Sequence, residues 1–244
     1  IMIKGKKILA VIPARIGSKG LKKKNIKVFN GHPLIAWTIA SAKQSRLIDD
    51  IIVSSDSKLI LDKSKNYIND YLYLRPKKLG KDNIKNSNVC LDAYIHMFET
   101  YKKNYDYILL LQPTVPFRLN NEIDKAIKKF YSNKYDYLIS IKEQDYPPWW
   151  MFGLHGEKLK PIFNFKNKEV FKLRRQDFGK TYRPSGSLYI TKVKNLIKNK
   201  IMTSSTNCGY YKVDFKSSFN IDDINHFKLA ESFAKENNSK LNFK

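Results

Sequence analysis

"KILAVIPARIGSKGLKKKN" (residues 7–25) joins an apolar run of strand length to a basic loop, and that junction decides the fold. The run "KILAVIPA" (7–14) is almost continuously apolar, as expected of a strand buried on both faces of a parallel sheet. The stretch 12–25 that overlaps its end carries two glycines and five cations, Arg15, Lys19, Lys22, Lys23 and Lys24. Backbone amides near Gly17 and Gly20 can turn towards an anion, while Arg15, Lys19 and Lys24 bring charge from three directions, which suits a triphosphate. The loop is neither a Walker P-loop nor a GxGxxG turn. "IGSKG" (16–20) also matches the GxxG clamp of KH modules, but it follows a strand and is introduced by Pro13, whereas the KH loop joins two helices. A plain basic surface turn is the remaining alternative; clustered cations without carboxylates repel one another unless an anion visits.

Working outward, the pattern alternates. Helical periodicity over 33–45, with Pro33 near the start, is followed by a strand at 50–56 and an amphipathic helix at 87–103. A strand at 105–114, a helix at 120–133 and a strand at 135–144 come next. This order predicts an α/β fold with a doubly wound, mostly parallel, Rossmann-like sheet. Ligands of such sheets bind outside the carboxyl ends of the strands. The 13–25 loop, Ser54 to Asp56 and Gln112 to Arg118 are then expected to meet.

Beyond residue 144 the pattern breaks into aromatics, turn dipeptides and short alternating runs. Residues 145–190 read as an irregular β-rich excursion that returns to the core at "GSLYIT" (186–191). Its aromatics suggest packing on another subunit. A strand, a polar corner and a terminal helix complete the chain. No repeat or linker divides it, so residues 1–244 are expected to form one domain with an inserted arm at 145–187.

Composition narrows the classes. A chain of 244 residues with 42% hydrophobic content can build its own core. No stretch approaches the roughly 20 apolar residues of a membrane span. The N-terminal stretch breaks at Pro13 without a small-residue cleavage site and is expected to belong to the fold. Two cysteines, Cys90 and Cys208, are too few for a disulfide scaffold, the four histidines are isolated in sequence, and the expected compartment is cytoplasmic. The net charge of +24 argues for an anionic partner, yet the lysines are spread evenly and accompany abundant Asn, Ile and Tyr. Such spacing reads chiefly as solvated faces, with attraction of an anionic ligand or polymer the alternative.

The loop resembles the signature of the CMP-sialic acid synthetases (acylneuraminate cytidylyltransferases) and their legionaminate and pseudaminate relatives, approximately IPARxxSKGxxxKN. The resemblance recurs in order along nearly the whole chain: "VSSD" (53–56), "RPKKLGKD" (75–82), "LLQPTVPFR" (110–118), "RRQDFGKTYRPSGSLYI" (174–190) and "FNIDDINHFKLAE" (219–231). It implies a nucleotidyltransferase that joins CTP to a nonulosonic acid, giving a CMP-sugar for cell-surface glycan synthesis and pyrophosphate. It implies no nucleic-acid or membrane partner, and a homodimer built through the 145–187 arm.

By the same resemblance Arg15, Ser18, Lys19, Gly20, Lys24 and Asn25 hold the nucleotide, with Lys24 the main transition-state cation. Arg75 lies where the family reads the cytosine base; Asn86 or Ser87 supports the nucleotide or caps a helix. Gln112, Arg175 and Arg183 are the sugar candidates, with Arg183 the candidate to act from the neighbouring subunit. The family's corner often reads Asp-Ile-Asp and binds magnesium. Here it reads Asn220-Ile221-Asp222, followed by Asp223. Asp222 becomes the principal Mg2+ ligand, with Asn220 or Asp223 assisting, and weaker metal affinity is expected. Capping of the last helix is the other role open to Asp222. A Kdo-activating cytidylyltransferase and a non-catalytic, nucleic-acid-binding protein are the alternative readings. The segment "YPPWWMFGL" (146–154) resembles an aromatic stretch of legionaminate-type enzymes.

Overall fold

The structure is a computed structural model and describes residues 3, 5–119, 121–163 and 168–236. Asn120, residues 164–167 of the expected arm and the chain from 237 onward lie outside the described residues.

The junction strand β1 (Ile8–Ala14) sits at the centre. Successive side chains of a strand point to opposite faces, and both faces of β1 are covered. Ile8, Ala10, Ile12 and Ala14 pack with Ile35 and Ile39 on one side. Leu9 and Val11 pack with Cys90, Ala93 and Met97 on the other. A small hairpin, β2 (Val28–Phe29) and β3 (His32–Pro33), leads to α1 (Leu34–Lys43), β4 (Asp50–Ser55), α2 (Lys58–Ser64) and β5 (Tyr71–Leu74). Then come α3 (Asn86–Tyr101), β6 (Tyr107–Leu111), α4 (Glu122–Ser132) and β7 (Tyr137–Glu143). The arm hairpin β8 (Phe152–His155) and β9 (Lys158–Pro161) precedes β10 (Tyr182–Lys192), α5 (Val193–Asn199), β11 (Cys208–Lys212) and α6 (Ile224–Glu236).

The seven-stranded sheet runs β11-β7-β10-β6-β1-β4-β5. β6, β1, β4 and β5 are mutually parallel, β11 is parallel to β7, and β10 is antiparallel to both its neighbours. From β1 the chain winds first towards β4 and β5 and later to β6 on the opposite side. The crevice of a doubly wound sheet opens at that reversal, and the carboxyl ends of β1 and β6 flank it.

Several elements differ from the sequence expectation, the β2–β3 hairpin among them. The helices α2 and α5 and the strand β5 were not anticipated; each is only 4 to 7 residues long, and β5 lies half-exposed at a sheet edge. The return from the arm begins at Tyr182, earlier than the "GSLYIT" segment. Its alternation is hidden because the register of β10 on β7 shifts between Pro184 and Tyr189. At that bulge the Ser140 hydroxyl accepts from Leu188 N at 2.9 Å and donates to Leu188 O at 3.0 Å, replacing ladder bonds. Gly186 adopts φ +79, and a β-carbon there would stand 3.0 Å from Gln112 Oε1, so the bulge needs glycine.

Arg118, buried in the loop after β6, ties this region together. Its guanidinium donates to the carbonyls of Gln112 and Val115 at 2.7 Å, to Ser187 O at 2.6 and 3.1 Å, and to Thr38 Oγ1 of α1 at 2.8 Å. Burial pushes its pKa down to about 10, which leaves it charged at neutral pH. Arg118→Lys keeps a cation but cannot reach four acceptors in one plane. It is expected to cost roughly 2–4 kcal/mol, read as a lower urea midpoint at unchanged m-value; an unmoved midpoint would remove this network from the account of stability.

Candidate active site

At the reversal lies a cleft of about 420 Å³. Its first wall is the basic loop. Asn25 Nδ2 donates to Arg15 O at 2.8 Å, closing the loop across its mouth. Asp56, at the exit of β4, accepts Ile16 N at 3.0 Å. Lys24 is 9% exposed; its ammonium donates to Ile221 O at 2.7 Å and Asp222 O at 3.4 Å and stands 3.9 Å from Asp222 Oδ1. Burial lowers its pKa below the ordinary lysine value; Asp222 opposes the shift and the Arg15 cation adds to it. Arg15 and Lys19 both pair with Asp82, Lys19 at 3.0 Å. Hydrogen bonds from Arg15 and then Lys19 hold the Asp82 carboxyl below its usual range.

The second wall carries Arg75, 4% exposed. Its Nη1 donates to Ser54 O, while Nε is buried without a partner. Burial lowers its pKa, against the fields of Asp56 and Asp92. Behind it His96 stacks on Tyr73 at 3.9 Å. The floor is formed by Gln112, Pro113 and Thr114, and Thr114 O accepts Ile221 N at 2.8 Å, fixing the corner that carries Asn220 and Asp222. Among the described residues Asn220 Oδ1 is buried without a hydrogen-bond partner, and the Asp222 side chain is 63% exposed.

Of the residues singled out in the sequence, the cleft gathers Arg15, Ser18, Lys19, Gly20, Lys24 and Asn25 from the loop, with Arg75, Asn86, Gln112, Asn220 and Asp222. Ser87 is buried and lines an adjoining recess of about 280 Å³, which shares Asn86 and Gln112 with the cleft and adds Tyr189, Met202 and Thr203. Neither Asn86 nor Ser87 caps a helix; both lie inside the first turn of α3, whose cap position is Lys85 without a side-chain bond. Asp223 does not line the cleft. Its Oδ1 accepts the backbone N–H groups of Asn225 and His226 at 2.9 Å, so Asp223 rather than Asp222 supplies the helix-start bonds.

Arg175 and Arg183 also stand away from the cleft. Arg175 lies 3.7 Å from Asp145, and Arg183 donates to Gln144 Oε1 at 2.7 Å. The aromatics of this arm pack partly on one another, Trp149 stacking on Phe178 at 5.6 Å, while Leu154 and Leu159 remain exposed. Asp82 was missed in the sequence although it closes the quoted "RPKKLGKD" segment. The signal that pointed to it was the basic loop's own lack of a carboxylate.

A profile of the cytidylyltransferase family matches residues 9–238. The chain belongs to the cytidylyltransferase family. Over 237 residues it is 32% identical to the CMP-N,N'-diacetyllegionaminic acid synthase of Legionella pneumophila, covering 96% of this chain and 99% of that one. It is 30% identical over 237 residues to the N-acylneuraminate cytidylyltransferase of Escherichia coli O18:K1:H7, covering 95% of this chain but 53% of that protein, so the chain spans about half the length of that relative. The fold is shared with a CMP:2-keto-3-deoxy-manno-octonic acid synthetase complexed with CTP, at TM-score 0.68 and 13% identity over 95% of this chain and 99% of that one. At that identity the likeness concerns the fold alone. Among the described residues of this cytidylyltransferase no helix is long and apolar enough to cross a membrane.

Gly20 links the loop to the corner, because a β-carbon there would overlap the Asp222 carbonyl oxygen. Gly20→Ala must therefore separate Lys24 from Ile221 and Asp222. A drop of about 10- to 100-fold in kcat/KM is expected, with the thermal midpoint little changed; near wild-type kcat/KM would show that this contact does not set the site's geometry.

Proposed function

We propose that the protein condenses CTP with a sialic-acid-like nonulosonic acid, forming a CMP-sugar and pyrophosphate. One observation carries the reading: a member of the cytidylyltransferase family places Lys24, Arg15, Lys19 and Arg75 around one cleft that continues into a second recess. The sugar's anomeric hydroxyl attacks the α-phosphorus and gives up its proton to solvent; a new P–O bond forms, the bond to the β-phosphate breaks, and pyrophosphate leaves with the electron pair. The protein's part is alignment and charge neutralisation. Lys24, partly desolvated and aimed from the loop floor, stabilises charge developing at the α-phosphate, while Arg15 and Lys19 bind the departing phosphates. Arg75 presents its guanidinium to the carbonyl edge of the base. The recess beside Gln112 combines the polar Asn86, Ser87 and Thr203 with the apolar Leu110, Ile201 and Met202, a lining that suits a substituted sugar acid.

The donor set at the corner fits a hard divalent cation. Among the described residues there is no group of three or more His, Cys, Asp or Glu side chains that could hold one. Asp222 and the orphaned oxygen of Asn220 nevertheless supply two oxygens, and Mg2+ commonly takes one or two carboxylates and completes its shell with substrate phosphates. A bound Mg2+ would add positive charge against the non-bridging oxygens of the triphosphate. Arg175 and Arg183 reach a sugar carboxylate only from a second copy, so their part in this reading rests on a homodimer through the 145–187 arm. The use of CTP and the two free cysteines suit a cytoplasmic reaction.

Pyrophosphate release from CTP and Mg2+, measured with N-acetylneuraminic, legionaminic, pseudaminic and Kdo acids, tests the reading. Turnover is expected with a nonulosonic acid of the first three and should fall on the order of 10²-fold or more in Lys24→Ala; no release with any acid would sink it. The pH profile follows from the Lys24 environment. The ammonium is the working form and its pKa is lowered, so kcat/KM should fall as pH rises through a value below the ordinary 10.5. Bound triphosphate favours the ammonium, so the limb in kcat should lie higher. Lys24→Arg should lack the limb; its persistence there would assign it to another group.

A further inference from the structure

The basic loop contains no carboxylate, yet in the folded chain its cations are not left to repel one another. Asp82, at the end of the 77–82 segment, places Oδ1 on Arg15 Nη1 and Oδ2 on Lys19 Nζ, one oxygen for each cation. That is how a phosphate would bridge the same two side chains. The contact is built into the fold. A β-carbon on Gly80 would collide with the Asp56 carboxylate, so only glycine lets this segment lie against Asp56, and Asp56 in turn holds Ile16 N of the basic loop. Asp82 is thereby set between two spaces. It lines the nucleotide cleft, and it also lines an open groove of about 610 Å³ that shares Arg15, Lys19 and Lys81 with the cleft and adds Lys22 and Lys23.

We propose that Asp82 is the resident anion of the empty nucleotide cleft, a positioning residue that holds Arg15 and Lys19 in place and is exchanged for the triphosphate when nucleotide binds. The proposal rests on the cytidylyltransferase reading of the site. With 41% of its side chain exposed, Asp82 holds its partners in a well-solvated environment, where ion pairs are weak enough to be traded. A triphosphate carries several negative charges and displaces a single carboxylate by Coulomb attraction alone. The exchange has two consequences. The cations are already ordered when the nucleotide arrives, and part of the binding energy is spent on releasing Asp82. When pyrophosphate departs, the carboxylate re-engages and neutralises the cations left behind.

The test is CTP binding by calorimetry, with Mg2+ and without sugar, to the full chain, Asp82→Asn and Asp82→Glu. Removing the resident charge should tighten CTP binding about 3- to 10-fold at low salt, with the gap closing as salt screens the loop. Inhibition by pyrophosphate should tighten in parallel, and Asp82→Glu should bind CTP as the wild type does. Equal affinity in Asp82→Asn would reduce Asp82 to a rim ion pair. Weaker binding would show that ordering of Arg15 and Lys19, or a direct contact with the nucleotide, outweighs competition for them, and either result overturns the exchange. Failure of the wild-type chain to bind CTP at all would instead sink the functional reading, and this inference with it.

Discussion

The architecture of the cleft depends on a buried charge that, among the described residues, forms no ion pair and feels Glu122 only through its field. The Arg118 guanidinium is surrounded by carbonyl oxygens and one hydroxyl, and no carboxylate is among its hydrogen-bond partners. A buried cation is tolerable only when its donors are satisfied, and here they are satisfied by the exit of β6, the bulge of β10 and helix α1 at once. The three elements therefore cannot drift apart without stranding a charge. Gln112 and Gly186 owe their proximity to this constraint, and with them the floor of the cleft and the mouth of the recess. Gly186 completes the fit from the other side, since the bulge can approach Gln112 only where no β-carbon stands.

Much of this was legible in the sequence because it follows from short-range pattern. The uninterrupted apolar run of β1 could only belong to a strand covered on both faces, and the polar ends of β1, β4 and β6 had to emerge at the same edge of a parallel sheet. What was not legible depends on single positions or on distant pairs. Asp222 and Asp223 are adjacent and chemically identical, and only the backbone direction at the start of α6 decides that Asp223 bonds the helix N–H groups while Asp222 faces the cleft. Asp82 meets Arg15 from 67 positions away, a pairing that no local periodicity encodes. The early start of β10 was hidden because Ser185, Gly186 and Ser187 interrupt the alternation where the strand bulges.

The cations of the cleft are held in two different ways, and the difference follows from burial. Arg15 and Lys19, half-exposed and exposed, are met by a full negative charge from Asp82 in a solvated setting. Lys24 and Arg75 are buried and are met mainly by carbonyl dipoles, Ile221 O for one and Ser54 O for the other, with carboxylates only near by. Dipoles orient a buried cation without neutralising it, so desolvation wins and both groups have lowered pKa values. Each is ordered but undercompensated, and an anion entering the cleft relieves it.

The corner at Asn220 bears on this balance. A second carboxylate there would stand in the same cleft wall as Lys24 and would stabilise its ammonium in the absence of ligand, competing with the substrate for that charge. Asn220 keeps an oxygen at the position without adding the charge, and that oxygen has no partner among the described residues. Lys24 is thus left with Asp222 at 3.9 Å as its nearest carboxylate. On the proposed reading, an asparagine in place of a carboxylate would weaken the corner's own hold on a divalent cation, while leaving more of the lysine's unmet charge for a phosphate. On that reading the neutralising of a triphosphate would fall less to the corner than to the basic loop with which the sequence reading began.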